Sequence, residues 1–208
     1  MSHDSVKYFK NFSKINNVYL LLGSIPITEN DKLFNRSILI NPDGDIISIY
    51  DKIHMFDITL KNGESYKESD FYSPGSELKI TTVLGHSVGH TICYDLRYPK
   101  LYRALAKKGS QIIVVPSAFT HTTGKAHWHS LIKARAIENG VFILAPNQWG
   151  VNNEKRVTYG HTLIVDPWGE TLAEAEDGEM IITAELDLNR VRECQNAIPV
   201  LDNDRNFD

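Results

Sequence analysis

The chain has 208 residues, of which 22 are Lys or Arg and 26 are Asp or Glu, so its formal net charge is −4. This charge and the lack of any basic run exclude the electrostatic footprint of a protein that binds nucleic acid or an anionic membrane surface. No apolar stretch approaches the roughly 20 residues that cross a bilayer, and the first residues lack the apolar core of a signal peptide. The sequence therefore predicts a cytoplasmic protein without a membrane-spanning segment. Two cysteines are too few for a disulfide framework.

The sequence predicts a single domain over residues 1–208, because 42% of its residues are hydrophobic and no repeat or linker divides it. Segment 5–16 spaces its apolar residues as on one face of a helix, and the apolar run 18–22 suits a buried strand. Residues 41–44, with the sequence Asn-Pro-Asp-Gly, are typical of a tight turn between paired strands. Residues 166–169, Asp-Pro-Trp-Gly, predict a second hairpin turn in the same way.

The remaining elements alternate along the middle of the chain. Strand candidates lie at 78–83, 88–93, 112–115, 141–144, 162–165 and 180–186, and helix candidates lie at 100–108, 126–139 and 188–197. Strands alternate with helices in the centre, whereas hairpins dominate the two ends. This pattern predicts an α/β fold with mixed sheets.

Cys93 is the leading candidate for a reactive residue. An apolar strand delivers it to the polar break 94–97, after which a helix begins. A strand, a sharp turn and a helix form the geometry of a nucleophile elbow, in which the next backbone N–H, that of Tyr94, can stabilise an oxyanion. The alternative interpretation is a small buried hydrophobic residue, the commonest role of a free cysteine.

Two further charged residues have both a chemical and an ordinary interpretation. Lys52 directly follows the second strand of the first hairpin, between apolar residues, where it could enter a pocket and favour a thiolate or an oxyanion. An exposed lysine on a solvated loop is the simpler interpretation. Glu68 lies in a polar loop, and on its own it would also be expected to be solvated.

The histidines raise two alternatives. His86 and His90 share one face of a strand but Cys93 points to the other, so these three residues are not expected to bind a zinc ion, and the sequence predicts no metal. A Cys–His hydrolase, for example Cys93 with His161, is the other conventional route to an active thiol, and the residues alone leave it open.

A series of motifs from about residue 18 to residue 201 resembles the nitrilase superfamily of carbon–nitrogen hydrolases. The match is to the Nit-type amidase branch, which includes deaminated-glutathione amidase and omega-amidase. The matching segments are Gly23-Ser24-Ile25-Pro26, Asp51-Lys52-Ile53-His54-Met55-Phe56-Asp57, Lys67-Glu68-Ser69-Asp70, Pro74-Gly75, Ile92-Cys93-Tyr94-Asp95-Leu96-Arg97-Tyr98-Pro99, Pro116-Ser117-Ala118-Phe119, Ala126-His127-Trp128, Lys133-Ala134-Arg135-Ala136-Ile137-Glu138-Asn139, Tyr159-Gly160-His161 and Asp166-Pro167-Trp168-Gly169.

The resemblance implies a four-layer αββα sandwich and an amidase that uses no metal or cofactor. Cys93 would attack the carbon of a small linear amide to form a thioester, while Lys52 and the Tyr94 N–H hold the oxyanion. Glu68 would support the lysine and the leaving group. The resemblance also implies a homodimer. The substrate-binding residues that we expect on this basis are Tyr94, Arg97, Phe119 and Trp128.

The chain also departs from the family pattern. The family's general-base glutamate lies far upstream of the lysine, whereas Glu29 is the sole glutamate before Lys52 and follows the strand that matches the family's third. We therefore expect an N-terminally truncated family member that lacks the first strands, the first helix and the base, and that is weak or inactive. A degenerate, non-catalytic partner subunit is the alternative. His129 stands where the Nit pattern usually has a glutamate, and the acidic tail 200–208 makes dimerisation less secure.

Overall fold

The computed structural model describes residues 3–61, 63–153 and 156–205. The chain divides into two compact units, Met1–Val83 and Leu84–Asp208. None of the helices in the described ranges is long and apolar enough to span a membrane.

A helix packed on a three-stranded antiparallel sheet forms the main part of the first unit. The elements are α1 (Asp4–Asn16), β1 (Leu20–Glu29), β2 (Lys32–Ile40) and β3 (Ile46–Asp51), with the strands in the order β1-β2-β3. Val6 of α1 is fully buried against Ile38 and Ile40, which lie two residues apart and so share one face of β2. The predicted opening helix and the first hairpin are confirmed. A strand does follow the helix, but it begins at Leu20, and its residues 20–22 are half-buried rather than buried.

Two turns set the register of this sheet. In the turn at 41–44, the Asn41 side chain accepts the N–H groups of Asp43 and Asp45, and Gly44 has a φ of +81°. Between β1 and β2, Asn30 and Asp31 both have positive φ, as a two-residue hairpin turn requires. This second turn was not predicted, although Asn and Asp are residues that tolerate such a backbone.

Shorter elements complete the first unit. They are β4 (Asp57–Thr59), β5 (Ser65–Lys67), a 3₁₀ helix (Glu68–Asp70) and β6 (Ile80–Val83). β4 and β5 pair antiparallel, and the 3₁₀ helix directly follows β5. This hairpin, which the sequence analysis did not predict, places Glu68.

The second unit is built on a mixed sheet. Its strands are β7 (His86–His90), β8 (Ile112–Val114), β9 (Phe142–Ala145), β10 (Trp149–Asn153), β11 (Arg156–Tyr159), β12 (Leu163–Val165) and β13 (Thr171–Glu174). Within the sheet, neighbours follow the order β13-β12-β9-β8-β7, with β7, β8 and β9 parallel and β12 antiparallel to β9 and β13. The predicted mixed α/β arrangement and the second hairpin turn are confirmed.

Three α helices and one 3₁₀ helix accompany this sheet. They are the 3₁₀ helix Cys93–Arg97, α2 (Pro99–Lys107), α3 (His121–Asn139) and α4 (Asn189–Ala197). α3 begins five residues before the predicted start (126 − 121 = 5) and carries Gly124 in its first turns. A Cβ at Gly124 would lie 2.4 Å from the Tyr159 side chain, so the glycine permits close packing of α3 on β11.

One strand prediction is wrong and a further hairpin was missed. Residues 181–186 alternate between exposed and half-buried positions, as an extended chain does, but residues 180–186 do not form a strand and Ile181 is 93% exposed. An alternating pattern indicates an extended segment without showing that a partner strand is available. The hairpin of β10 and β11 was not predicted.

Candidate active site

Cys93 lies at a sharp turn between a strand and a helix, as predicted. Its φ is +48°, in the left-handed region that non-glycine residues rarely adopt. Its N–H donates to the Pro116 carbonyl at 3.0 Å, and its side chain is half-buried. A backbone of this kind costs on the order of 1–3 kcal/mol and persists only where surrounding contacts hold it.

Buried polar groups provide those contacts. Asp95 is fully buried, and its Oδ2 accepts the Ile92 N–H at 2.9 Å, which ties the end of the strand to the 3₁₀ helix. Arg135 of α3 is also buried and donates from Nε to the Leu96 carbonyl at 2.9 Å. Both residues belong to the family motifs, but their positioning role was not predicted. The Arg135 bond joins positions 39 residues apart, and local sequence carries no signal for it.

Arg97 and Phe119 form a cationic and aromatic wall next to this turn. The Arg97 guanidinium lies 5.1 Å from the centre of the Phe119 ring and 6.0 Å from that of Tyr94. Its nitrogens lie 3.3 Å from Nδ1 of His127. Burial lowers the pKa of Arg97, while Tyr94 and Cys93 act in the opposite direction. The wall therefore presents a partly desolvated positive charge close to Cys93.

Trp128 packs against Phe119, one of the two residues of this wall. It is fully buried, its ring lies 5.0 Å from that of Phe119, and its Nε1 donates to the His161 carbonyl at 2.8 Å. The four predicted substrate-binding residues, Tyr94, Arg97, Phe119 and Trp128, thus form one connected series of contacts. Trp128 offers no exposed surface to a ligand, so its contribution in this structure is to position Phe119.

Lys52 and Glu68 form a buried ion pair in the first unit. Lys52 is 3% exposed, and its Nζ lies 2.5 Å from Oε2 of Glu68, whose side chain is 13% exposed. The same Glu68 oxygen accepts the Phe56 N–H at 2.7 Å, and Oε1 accepts the Asn35 amide at 2.9 Å. The interpretation of Lys52 and Glu68 as solvated loop residues is therefore wrong. The contact forms because Lys52 directly follows β3, while the β4–β5 hairpin brings Glu68 back to it.

The backbone around Lys52 is fixed from both sides. Its N–H donates to the Asn35 carbonyl at 2.9 Å, and its carbonyl accepts the Gly75 N–H at 2.8 Å. A Cβ at Gly75 would lie 2.3 Å from the Asp51 carbonyl oxygen, so only glycine permits this approach. This contact explains the glycine of the Pro74-Gly75 motif.

Glu29 is bound to Arg36. Its Oε2 accepts from the buried Arg36 guanidinium at 2.9 Å, and Arg36 also binds both carboxylate oxygens of Asp51. The hydrogen bond and charge of Arg36 lower the pKa of Glu29, which makes it a poorer proton acceptor. This geometry agrees with the expectation that Glu29 is not the family's base.

His161 has partners other than a thiol among the described contacts. Its Nδ1 lies 3.0 Å from Oε1 of Glu174, and its ring stacks on Tyr159 with centroids 4.4 Å apart. His129 Nε2 lies 2.7 Å from the same Glu174 oxygen. Burial tends to raise the pKa of Glu174, but the hydrogen bonds from His129 and His161 outweigh it and hold that pKa below its ordinary value. His161 is thus oriented toward Glu174 by its Nδ1 atom.

Known proteins are similar to this chain in both sequence and fold. A family model described as carbon-nitrogen hydrolase matches residues 2–196. The deaminated glutathione amidase of Yersinia enterocolitica is 40% identical over 192 residues, which cover 90% of this chain and 67% of that protein. The nitrilase and fragile histidine triad fusion protein NitFhit of Drosophila melanogaster is 39% identical over 201 residues, covering 95% of this chain and 43% of the fusion protein. The crystal structure of the C. elegans NitFhit protein aligns with a TM-score of 0.92 at 33% identity, over 97% of this chain and 50% of that one.

These findings define a mixed α/β fold with a cysteine at a strand–helix turn and a buried lysine–glutamate pair. The chain belongs to the carbon-nitrogen hydrolase family, and the predicted nitrilase-superfamily fold is confirmed. It spans about half the length of the NitFhit proteins and two thirds of the bacterial amidase.

We expect Glu68→Gln to lower the free energy of unfolding by about 3–5 kcal/mol, because it leaves the Lys52 ammonium buried beside a neutral amide. Chemical denaturation of the purified variant measures this change. Asp70→Asn, which alters an exposed carboxylate two residues away, should stay within about 0.5 kcal/mol of the parent.

The double variant Lys52→Met/Glu68→Gln should recover much of the lost stability, because no buried charge then remains unpaired. A Glu68→Gln chain as stable as the Asp70→Asn control would show that Lys52 does not depend on Glu68.

Proposed function

We propose that this chain hydrolyses an amide with Cys93 as nucleophile, Lys52 as oxyanion-stabilising residue and Glu68 as the carboxylate that positions Lys52. We expect this activity to be weak, because no glutamate of the chain matches the family's general base. The observation that carries the proposal is the backbone of Cys93, held in the left-handed region at a strand–helix turn. A structural cysteine needs no such conformation, whereas a nucleophile elbow does.

The proposed reaction has two halves. The Cys93 sulfur forms a bond to the amide carbon, and the carbonyl electrons move onto oxygen. The C–N bond then breaks, and the nitrogen takes a proton and leaves as ammonia, so that a thioester remains. Water attacks the thioester carbon, the C–S bond breaks, and the products are a carboxylic acid and the free thiol.

Lys52 suits the stabilisation of the oxyanion because it is held in one place. A desolvated ammonium interacts with a developing negative charge more strongly than a hydrated one and needs no reorganisation during the reaction. Glu68 serves this function by fixing the ammonium, and its other bonds to Phe56 and Asn35 keep the carboxylate in position. The proton that the departing nitrogen takes is the one that leaves the Cys93 thiol, so the first half of the reaction balances. In the family pattern an upstream glutamate relays this proton. Glu29, bound to Arg36, is not that group.

Arg97 points to the class of substrate. A half-buried guanidinium beside aromatic rings is suited to bind a carboxylate, and it lies four residues from the nucleophile. We therefore propose the monoamide of a small dicarboxylic acid, or a glutathione-related amide, as substrate. The name of the Yersinia relative, deaminated glutathione amidase, supports this class.

We also propose that the protein is cytoplasmic and works as a homodimer. The small negative net charge and the two free cysteines support the first statement, and the family resemblance supports the second.

Ammonia release from the monoamide of succinic acid tests the proposed chemistry. Relative to the parent chain, Cys93→Ala should abolish release, and Lys52→Met should lower kcat by about 10²–10³-fold because it removes an oxyanion-stabilising charge. The matched controls Cys194→Ala and Lys100→Met should retain activity, and His161→Gln should have only a mild effect.

Three results would contradict the proposal. An unaffected Lys52→Met chain would remove Lys52 from the mechanism, and a loss in His161→Gln as large as in Cys93→Ala would favour the Cys–His alternative. No ammonia release above the Cys93→Ala background would favour the non-catalytic alternative.

The substrate assignment has its own test in Arg97→Met. We expect this change to raise KM for the succinic monoamide about ten- to hundredfold, equivalent to ~1.5–3 kcal/mol for a hydrogen bond to a charged group. KM for butyramide, which lacks the carboxylate, should change little. Equal changes in both KM values would show that Arg97 does not recognise a carboxylate.

A further inference from the structure

Two histidines and a glutamate converge on one point in the second unit, apart from the residues assigned to amide hydrolysis. We call His129, His161 and Glu174 the histidine cluster. Each offers one potential ligand atom, and these atoms all lie within 4.8 Å of one another. Nε2 of His129 and Nδ1 of His161 both face the same carboxylate oxygen, Oε1 of Glu174, at 2.7 and 3.0 Å.

Three separate elements hold the cluster in place. His129 is on α3, His161 lies two residues before β12, and Glu174 ends β13. The pairing of β12 and β13 sets Leu163 opposite Glu174, and this fixes the glutamate relative to the segment that carries His161. The neighbour of His129, Trp128, donates to the His161 carbonyl at 2.8 Å and so ties α3 to that segment. The backbone positions are therefore set without help from a bound ligand.

The His161 ring is also oriented from its other side. It stacks on Tyr159 at 4.4 Å, and its Nε2 lies 3.8 Å from Oδ1 of Asp177. A metal-binding histidine commonly directs its second ring nitrogen to a carboxylate, which fixes the tautomer that leaves the other nitrogen free to bind the metal. Asp177 is exposed and can approach by rotation of its side chain.

The cluster is accessible from solvent. Its three side chains are each between 26% and 35% exposed. His161 and Asp177 also line a cavity of about 440 Å³ together with His121, Lys125 and Tyr159. An ion can reach the cluster without any rearrangement of the core.

From this geometry we infer that His129, His161 and Glu174 form a binding site for a divalent transition-metal ion of the zinc type, with Asp177 as the outer partner of His161. Two imidazoles and one carboxylate match the ligand preference of Zn²⁺, and a water would complete a four-coordinate site. Ligand atoms around a tetrahedral zinc lie roughly 3.3 Å apart at bond lengths of ~2.0–2.1 Å. Each histidine nitrogen therefore needs to move only a few tenths of an ångström away from the Glu174 oxygen, and the two nitrogens already lie within 4.8 Å of each other. On binding, each imidazole keeps one proton on the nitrogen that does not bind the metal.

The sequence gives little indication of this site. The three residues are separated by 32 and 13 positions (161 − 129 = 32; 174 − 161 = 13) and lie on a helix, a loop and a strand. They do not include the His86, His90 and Cys93 group that the sequence analysis considered. In the described part of the chain, the group that brings three ligand atoms together is the histidine cluster.

Isothermal titration of the full 208-residue chain with Zn²⁺ tests the inference. We expect one saturable site per chain, no comparable binding of Mg²⁺ or Ca²⁺, and a midpoint of thermal unfolding that rises with zinc. His129→Gln, His161→Gln and Glu174→Gln should each weaken the affinity about tenfold or more, and Asp177→Asn should weaken it less. His86→Gln and Glu185→Gln are the matched controls and should bind zinc as the parent does.

Two additional measurements exclude other zinc sites and folding defects. Cys93→Ala should retain the full zinc stoichiometry, because its thiol is the main competing ligand. Long-range ¹H–¹⁵N spectra of the histidines should show metal binding at Nε2 of His129 and Nδ1 of His161, with His86 unchanged. Circular dichroism of the metal-free variants should match that of the parent.

The inference is overturned if zinc binding is not saturable, if the stoichiometry falls to zero in Cys93→Ala, or if the three cluster variants bind zinc as tightly as the controls. None of these outcomes depends on amide hydrolysis, so the two proposals fail or succeed separately.

Discussion

A lysine ammonium in a protein interior needs an anion and a fixed set of hydrogen bonds, because its desolvation costs several kcal/mol. Lys52 meets this need through Glu68, whose two oxygens also bind the Phe56 N–H and the Asn35 amide. Several elements of the first unit position the residues of this ion pair. Asn35 lies on β2, Lys52 directly follows β3, and the β4–β5 hairpin brings Glu68 back to Lys52. Such a pair adds little net stability, but it fixes a charge in a dry position, which suits the proposed role of Lys52 in oxyanion stabilisation.

The same principle applies to Cys93 in the second unit. Its left-handed backbone is unfavourable alone and is held by the buried Asp95 and by Arg135 of α3. Arg97 and Phe119 then provide a cationic and aromatic surface beside the turn, with Trp128 packed behind it. Trp128 also bonds to the His161 carbonyl, so one buried side chain supports both the wall beside Cys93 and the histidine cluster. Binding of an ion at the cluster and the shape of the wall therefore share a structural support.

Features of the fold that depend on neighbouring residues could be predicted from the sequence. The helix at 4–16, the turn at 41–44 and the strand–turn–helix around Cys93 follow from apolar spacing and turn residues, and the family motifs identified Lys52 and Glu68. Contacts between distant positions could not be predicted in this way. Nothing near Arg135 indicates that it bonds to Leu96, and nothing near His129 indicates that His161 and Glu174 lie beside it. The strand prediction at 180–186 is wrong for the same reason, since an alternating pattern describes one segment and does not show that a partner strand lies beside it. The start of α3 was predicted five residues too late (126 − 121 = 5). Gly124 lies in the first turns of this helix. It is required there by the close approach of Tyr159, a distant contact that local sequence does not indicate.

The central claim is that Cys93 becomes acylated by an amide. Rapid quenching of the chain in acid during reaction with the monoamide of succinic acid, followed by mass spectrometry of its peptides, tests this claim most directly. We expect a succinyl group on the peptide that contains Cys93, labile to hydroxylamine as a thioester is, and no adduct on the peptide that contains Cys194. Ammonia release without any adduct at Cys93, or an unchanged adduct in the Lys52→Met chain, would contradict it.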